Sequence, residues 1–330
     1  MKKRILYILF LLIITPLCFE GALRIMGYTG FTNIDYSLVS SPKNCLVSSN
    51  DMGLALADGS FNVTINEGHS YKVTHRNGER ITSDTELHDS LSQVFMMGCS
   101  YTYGMGVEDD QNFVYLLQQG LPNYNVRNFG VPGFGTVQSY LQIKREIENG
   151  TIPEIVIINY CDFHSERNSL LPSYRRNLAI GFNNSNNEAK KEMSSSRIPY
   201  MKDGLVAFEN WNSLYKDWSG RETFAMINYL QSRADRSVTG SIDFDQNNLD
   251  IFLKIKDICA KNNIRFVVNG LLKNQETKKF LNQLEKEKIE TLEVSLDLTK
   301  KEYNNLPYDS HPNKEAHANY AKTFLSTLFK

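Results

Sequence analysis

From residue 93 onward, short apolar runs alternate with longer amphipathic segments, and this alternation constrains the fold more than any other feature of the chain. The runs predict strands at 93–97, 125–128, 155–158, 265–269 and 292–296. The segments between and after them predict helices at 111–119, 137–149, 249–262, 275–286 and 314–328. Strands that alternate with helices form a parallel sheet covered on both faces. We therefore expect an α/β fold, a flavodoxin-like three-layer α/β/α sandwich.

The start of the chain has the composition of a membrane segment. Lys2, Lys3 and Arg4 precede an apolar stretch over 5–19, which is about the length of a short membrane helix or a signal-peptide core. The positive-inside rule keeps the basic end in the cytoplasm and places the rest of the chain outside. Because no small-residue cleavage site lies close behind the stretch, we expect an uncleaved signal anchor over 1–27, with a cleaved signal as the alternative.

The rest of the chain divides into a cap and a main domain. Residues 28–90 are rich in Gly, Asn, Ser and Thr with short alternating runs, which predicts a small β-rich or irregular cap apart from the main sheet. Residues 91–330 form the expected α/β domain. Its alternation is interrupted at about 165–245, where we predict an insertion beside the active-site rim. The polar run 183–191 predicts a mobile loop within this insertion.

Composition excludes several classes of function. The formal net charge is −1 and basic residues are scattered, so no nucleic-acid partner is expected. The five cysteines are odd in number and show no paired spacing, which argues against a disulfide framework. The six histidines show no ligand spacing, so we expect no metal and no cofactor.

A serine and a distant Asp-x-His pair predict nucleophilic catalysis. Ser100 comes directly after the strand at 93–97, between Gly98 and Gly104, and Asp309 and His311 lie near the other end of the chain. A serine hydroxyl needs a base, and the base needs an orienting partner. We predict that Ser100, His311 and Asp309 form a triad, although a serine in this position can also be only a helix cap. His317 is expected at the surface or as a capping residue.

Three ordered blocks resemble the SGNH hydrolases, also called the GDSL-like lipase and acylhydrolase superfamily. Residues 98–104 are similar to its Gly-Asp-Ser block, residues 128–136 to its second block, and Asp309 with His311 to its last block. The stretch 75–80 resembles one found in membrane-anchored extracytoplasmic members. The resemblance implies that the backbone N–H groups of Gly133 and Ser100 stabilise an oxyanion.

The chain departs from this family at two positions. Cys99 replaces the aspartate before the nucleophile, and Cys161 stands where the third block has an asparagine that donates to the oxyanion. Because a thiol is a poor donor, another side chain has to replace it. We predict His164 as the substitute. Asn159 is the second candidate, but its place at a strand end also suits a structural bridge.

The expected function is a serine esterase or acylhydrolase that acts on ester groups, O-acetyl groups in particular, of an envelope or exported polysaccharide. Trp211, Tyr215 and Trp218 of the insertion could stack on a sugar ring or could form the core of the insertion. The expected partners are an acylated carbohydrate or small ester substrate and a membrane. The alternatives are a polysaccharide O-acetyltransferase, which uses the same triad, and a non-catalytic glycan-binding module.

Overall fold

The computed structural model describes residues 2–33, 37–85 and 90–329. The strands in these ranges are β1 (Leu38–Ser41), β2 (Leu46–Ser49), β3 (Gly53–Leu56), β4 (Gly59–Ile65), β5 (His69–Arg76), β6 (Glu79–Arg80), β7 (Ser92–Met97), β8 (Tyr124–Asn128), β9 (Ile155–Tyr160), β10 (Arg197–Lys202), β11 (Leu205–Asn210), β12 (Arg265–Leu272), β13 (Glu290–Leu296), β14 (Asn304–Asn305) and β15 (Asp309–Pro312). The helices are α1 (Lys2–Ile25), α2 (Ser100–Tyr103), α3 (Phe113–Gly120), α4 (Thr136–Glu148), α5 (His164–Asn168), α6 (Pro172–Asn184), α7 (Asn187–Ser194), α8 (Ala225–Gly240), α9 (Phe244–Lys261), α10 (Gln275–Lys286) and α11 (Lys314–Thr327).

The centre of the molecule is a parallel sheet in the order β8-β7-β9-β12-β13. Numbered by their own sequence order, these strands run 2-1-3-4-5, which is the flavodoxin-like arrangement. The predicted fold class is therefore confirmed. In such sheets the topological switch point lies between the first and third strands, and ligands bind at the carboxyl ends there. Here that point lies between β7 and β9.

Side chains of the central strands alternate between two cores because successive residues of a strand point to opposite faces. On one face, Phe95 and Met97 pack with α4, α9 and α10. On the other face, Val94 and Met96 pack with α3 and α11. All four of these β7 side chains are fully buried. Strand β7, which leads to Ser100, is thus fixed from both sides.

The cap is joined to the main sheet, contrary to expectation. Strands β1, β4, β5 and β6 are antiparallel, and β6 meets β8 through one residue pair, Arg80 with Asn128. Apolar cap side chains such as Val63 and Val73 pack against Tyr103 and Met105, which come after the nucleophile. The prediction of a β-rich segment at 28–90 matches these strands. The prediction that this segment lies apart from the main sheet was wrong. The cap continues the sheet and covers the loop after Ser100.

The interruption after β9 is a helical insertion with its own core. Helices α6, α7 and α8 and the β10–β11 hairpin lie between α5 and α9. Leu170, Met193, Ile198, Trp211 and Leu214 are buried together in it. The polar run 183–191 was predicted as a loop, but most of it is helical, because α6 reaches Asn184 and α7 starts at Asn187.

Helix α1 is long and apolar enough to cross a membrane, with a mean hydropathy of 2.2 over an 18-residue window within Lys3–Ile25. Its last turns contact the insertion. The Glu20 carboxylate accepts hydrogen bonds from the N–H groups of Ala225 (3.0 Å) and Met226 (2.7 Å) at the start of α8. Arg24 donates to the Thr223 carbonyl at 2.8 Å. Glu20 thereby satisfies N–H groups that have no partner within α8.

Candidate active site

The predicted nucleophile lies in a tight turn at the carboxyl end of β7. Ser100 is the first residue of α2, and Gly98 provides the close approach that the turn requires. A Cβ atom on Gly98 would lie 2.2 Å from Thr102 Oγ1 and 3.2 Å from the Asn159 carbonyl oxygen. The amide of Ser100 donates to no other residue in the described part of the chain. The turn therefore presents both a hydroxyl and a free N–H at the switch point of the sheet.

The structure brings the three predicted triad residues together. Ser100 Oγ lies 2.9 Å from His311 Nε2, and His311 Nδ1 lies 2.7 Å from Asp309 Oδ2. Because an ionised carboxylate only accepts, Nδ1 carries the proton and Nε2 is left to accept from the Ser100 hydroxyl. The side chain of Asp309 is 3% exposed and that of His311 is 18% exposed. The geometry is that of a nucleophile, a base and an orienting group.

The loop that carries the base is held by asparagine side chains. Asn305 donates to the carbonyls of His311 and Pro312. Asn313 caps α11 by accepting from the Ala316 N–H and donates to the Asn304 carbonyl. Both triad partners thus come from one short, hydrogen-bonded strand, β15.

His317 was predicted as a surface or capping residue; the surface position is wrong, because His317 is fully buried between α11 and α3. Its Nδ1 accepts the N–H of Phe113 at 3.2 Å. Burial lowers the pKa of His317 to about 3, so the imidazole is neutral at pH 7. His317 therefore serves the packing of α11 and not the triad.

A buried arginine from the cap holds the loop after the nucleophile. Arg80 donates from Nη1 to the carbonyls of Tyr103 (2.8 Å) and Gly104 (2.6 Å) and from Nη2 to that of Val107 (2.7 Å). Its Nε donates to Asp109 at 2.8 Å. The Arg80 side chain is 0% exposed. Arg80 lies in the stretch 75–80, which resembles a segment of membrane-anchored members of the superfamily. The hydrogen bonds from Arg80 to the loop were not predicted.

His75 adds a second contact between the cap and this loop. Its Nε2 lies 2.9 Å from the Tyr103 hydroxyl, and its Nδ1 lies 2.8 Å from the Ala57 carbonyl oxygen. Burial lowers the pKa of His75, which favours the neutral ring. A neutral ring can donate to Ala57 from Nδ1 and accept from Tyr103 at Nε2.

The glycine loop of the second block lies next to the insertion. Gly133 has a φ of +85°, a conformation that glycine adopts without strain. The Tyr174 hydroxyl of α6 donates to the Gly133 carbonyl. The Gly133 N–H donates to no other residue within the described ranges. The two amides implied by the family resemblance, those of Ser100 and Gly133, are both unpaired.

Asn168 fixes the helix that comes after this loop. Its Oδ1 accepts from the N–H groups of Thr136 (2.7 Å) and Val137 (3.2 Å) at the start of α4. A Cβ atom on Gly135 would lie 2.7 Å from Asn168 Oδ1, so the two segments meet closely. The structural role of Asn168 depends on a contact between distant segments, the end of α5 and the start of α4.

Of the two residues predicted as substitute oxyanion donors, Asn159 is a structural bridge. Its Nδ2 donates to the Met97 carbonyl at 3.2 Å, and its Oδ1 accepts from Asn269 at 3.1 Å. Asn159 is fully buried and connects β7, β9 and β12. This was the alternative interpretation of its place at the strand end.

His164, the preferred substitute, lies behind the nucleophile turn in this structure. The residue is 0% exposed, and its ring packs edge to face with Tyr160 and Phe163. Its donor atoms lie within 4.8 Å of the thiols of Cys99 and Cys161. A ring nitrogen that is sealed from solvent does not line an open oxyanion hole. The geometry therefore does not favour His164 as the substitute donor.

The three aromatic residues predicted to stack on a sugar occupy different environments. Trp211 is 3% exposed and donates from Nε1 to Ser196, so it belongs to the core of the insertion. The hydroxyl of Tyr215 donates to Asp235 at 2.6 Å. Trp218 is 48% exposed. Trp211 does not suit stacking on a sugar because its ring is covered, which agrees with the alternative that it forms the core of the insertion. Among the three residues, Trp218 has the most exposed ring.

Space around the triad is limited. Ser100 is 4% exposed, and the Tyr101 ring packs edge to face on His311 at 5.3 Å between centroids. Burial raises the pKa of Tyr101, which keeps its hydroxyl neutral. Cavities of about 970 Å³ at the β6–β8 edge and about 480 Å³ beside the β10–β11 hairpin are not lined by any triad residue. Ser100 itself is therefore little exposed.

No family model and no curated protein matches the sequence. Similar solved structures include a lipolytic protein of the G-D-S-L family from Veillonella parvula, with a TM-score of 0.39 and 9% identity, covering 72% of this chain and 99% of that chain. A carbohydrate acetylesterase family member from Sinorhizobium meliloti gives a TM-score of 0.38 and 9% identity, with 72% and 97% covered.

A third similar structure is AlinE4, an SGNH-hydrolase family esterase, with a TM-score of 0.32 and 13% identity, covering 62% of this chain and 77% of that chain. The G-D-S-L and SGNH proteins among these structures carry the names of the superfamily that the three sequence blocks resemble. Because the TM-scores lie below 0.5, the chemistry has to be inferred from the site itself.

Replacing Arg80 tests whether the cap holds the nucleophile loop. Arg80→Met leaves Asp109 without its partner and removes the donors from three loop carbonyls. Breaking a buried ion pair typically costs about 3–5 kcal/mol, so we expect the free energy of unfolding to fall by about that amount. Denaturant unfolding followed by circular dichroism measures it. Arg76→Met, on the same cap segment but exposed, should change it by less than about 0.5 kcal/mol. Equal effects of the two substitutions would contradict this role.

Proposed function

We propose that the protein is a serine acylhydrolase in which Ser100, His311 and Asp309 are the catalytic residues. The observation that carries the proposal is the continuous hydrogen-bond chain from Ser100 Oγ through both ring nitrogens of His311 to Asp309, at 2.9 and 2.7 Å. Serine hydroxyls are poor nucleophiles without such a base. A non-catalytic glycan-binding module has no use for this arrangement, so the assembled triad favours an enzyme.

The reaction proceeds in two acyl-transfer steps. His311 Nε2 takes the Ser100 proton while Oγ attacks the ester carbonyl carbon, and Asp309 stabilises the imidazolium that forms. The N–H groups of Ser100 and Gly133 stabilise the oxyanion. The imidazolium then returns the proton to the departing alcohol as the ester C–O bond breaks. Water, deprotonated by His311, hydrolyses the acyl-enzyme and regenerates Ser100.

The substrate we propose is an ester of a short acyl group, acetyl in particular, on an envelope or exported polysaccharide. The low exposure of Ser100, and the position of both described cavities away from the triad, support a short acyl group, because a long chain needs an apolar groove beside the nucleophile. The apolar helix α1 supports a place at a membrane, with the catalytic domain outside because Lys3 and Arg4 precede the helix's apolar stretch. An O-acetyltransferase would use the same triad with a sugar hydroxyl in place of water.

Substitutions in the triad test the proposed mechanism. Ser100→Ala should abolish labelling by a fluorophosphonate and lower kcat for p-nitrophenyl acetate hydrolysis by at least about 1,000-fold, and Asp309→Asn should lower it by about 10,000-fold through the wrong tautomer of His311. Ser310→Ala is the matched control, because Ser310 lies between the two triad partners and is exposed. It should retain activity within about twofold. Unchanged hydrolysis in Ser100→Ala would rule out the serine mechanism.

Acyl-chain selectivity tests the proposed substrate class. We expect kcat/KM for p-nitrophenyl acetate to exceed that for the octanoate ester by at least about tenfold, because a poor fit of several methylenes costs more than about 1.4 kcal/mol. The measurement is a steady-state comparison of both esters with the full-length enzyme in detergent. Preference for octanoate would point to a lipid ester.

Faster loss of the acyl-enzyme on addition of acetyl-free polysaccharide, with the acetyl group recovered on the sugar, would indicate the transferase.

We further propose that α1 is retained as an anchor. Its Glu20 carboxylate caps α8, so cleavage beyond Glu20 would leave the amides of Ala225 and Met226 without these partners. The intact mass of protein extracted from membranes should therefore include residues 2–27. A mature protein that begins beyond residue 20 would refute the anchor and favour a cleaved signal.

A further inference from the structure

Two cysteines and a histidine meet directly behind the nucleophile turn. Cys99 comes after β7 and Cys161 after β9, and these strands are parallel neighbours with Met97 opposite Ile158. His164 comes three residues after Cys161, at the start of α5. The two sulfur atoms and a ring nitrogen all lie within 4.8 Å of one another, and all three residues are 0% exposed.

The imidazole of His164 has no hydrogen bond of good geometry, although it faces the Cys99 thiol. Neither Nδ1 nor Nε2 has one among the described residues, and both atoms are sealed from solvent. Leaving a buried polar group unpaired is destabilising, because the group has lost its hydrogen bonds to water. The rings of Tyr160 and Phe163 pack edge to face with His164 at 5.7 and 5.3 Å and offer no strong acceptor. The sulfur atoms of Cys99 and Cys161 lie near one of the ring nitrogens. A cation bound by both sulfur atoms would therefore also give this nitrogen a partner.

We propose that Cys99, Cys161 and His164 bind a thiophilic divalent cation, with Zn²⁺ as the preferred ion. Thiolate and imidazole are the ligands that Zn²⁺ favours, and a Cys₂His set leaves one further coordination position. Two thiolates, a neutral imidazole and Zn²⁺ sum to zero charge, which suits a fully buried site. Monovalent copper with the same ligands would leave a buried negative charge. Binding releases the two thiol protons to solvent.

The bound cation would join the carboxyl ends of β7 and β9 immediately before Ser100. Its effect is on the position and stability of the nucleophile turn, because Cys99 is the residue before the serine. This site does not depend on the proposed function: a cation can stabilise the turn whether or not Ser100 turns over an ester. The departures from the family pattern at Cys99 and Cys161 then have one shared explanation.

The test uses the full-length chain purified in detergent under reducing conditions, stripped with a chelator and titrated with ZnCl₂. We expect one equivalent of zinc by elemental analysis, a dissociation constant below about 1 µM, and a rise in the unfolding temperature on loading. Co²⁺ in place of Zn²⁺ should give thiolate-to-cobalt charge-transfer absorption and intense tetrahedral d–d bands. A parallel titration with an acetonitrile complex of Cu⁺ under anaerobic conditions compares the two ions.

Matched substitutions assign the site. Cys99→Ser, Cys161→Ser and His164→Asn should each weaken binding by at least about 100-fold, as expected for the loss of one ligand. Cys259→Ser is the control, because Cys259 is buried in α9 but lies outside the trio, and it should still bind one equivalent. If a ligand variant fails to fold, the cobalt spectra of the wild type and of Cys259→Ser decide the question, since they report thiolate coordination directly.

Three results would overturn the proposal. The first is the absence of binding to the reduced wild-type protein at 100 µM Zn²⁺, a concentration about 100 times the expected upper limit of the dissociation constant. The second is a disulfide between Cys99 and Cys161 in freshly isolated protein, detected by alkylation and peptide mass analysis. The third is tight binding of Cu⁺ with no retention of Zn²⁺, which would contradict the divalent assignment.

Discussion

The buried guanidinium of Arg80 is the interaction on which the arrangement of this site depends. A buried charge is tolerated only when its donors are paired, and Arg80 meets this requirement with four hydrogen bonds, three of them to carbonyls in the loop after Ser100. Within the described residues, Arg80 also forms the one strand pair between β6 of the cap and β8 of the main sheet, opposite Asn128. The cap and the nucleophile loop therefore cannot be positioned independently of each other.

The strands and helices of the main domain could be predicted because apolar runs and helix caps are patterns of residues that are close in the sequence. The apolar run before Ser100 is buried on both faces as β7, and the predicted helix at 275–286 has the same bounds as α10. Asparagine caps at Asn274 and Asn313 mark helix starts by a short-range side-chain bond. The assembly of Ser100, His311 and Asp309 was predictable for a different reason: the blocks that carry them resemble, in order and spacing, those of the SGNH hydrolases.

Features that depend on contacts between distant segments were not predictable. Asn159 and Asn168 carry the same amide group that an oxyanion donor needs, and only the partners at Met97, Asn269 and Thr136 show that both are structural. Trp211 has an aromatic ring of the kind that can stack on a sugar, but the ring is covered by the core of the insertion. Sequence shows which groups are available. Which of them remain unpaired at the site is decided by tertiary packing.

The contact between α1 and α8 has a consequence for how the enzyme would meet its substrate. Many anchored enzymes hang from a flexible linker and search a volume of solution that grows with linker length. Here Glu20 and Arg24 form hydrogen bonds with the insertion, so α1 has a fixed orientation relative to the rest of the chain. With α1 in a bilayer, Ser100 would stay at a fixed height above the membrane. The enzyme that we propose would then act on polymers that pass along the membrane surface, and its rate would depend on their delivery.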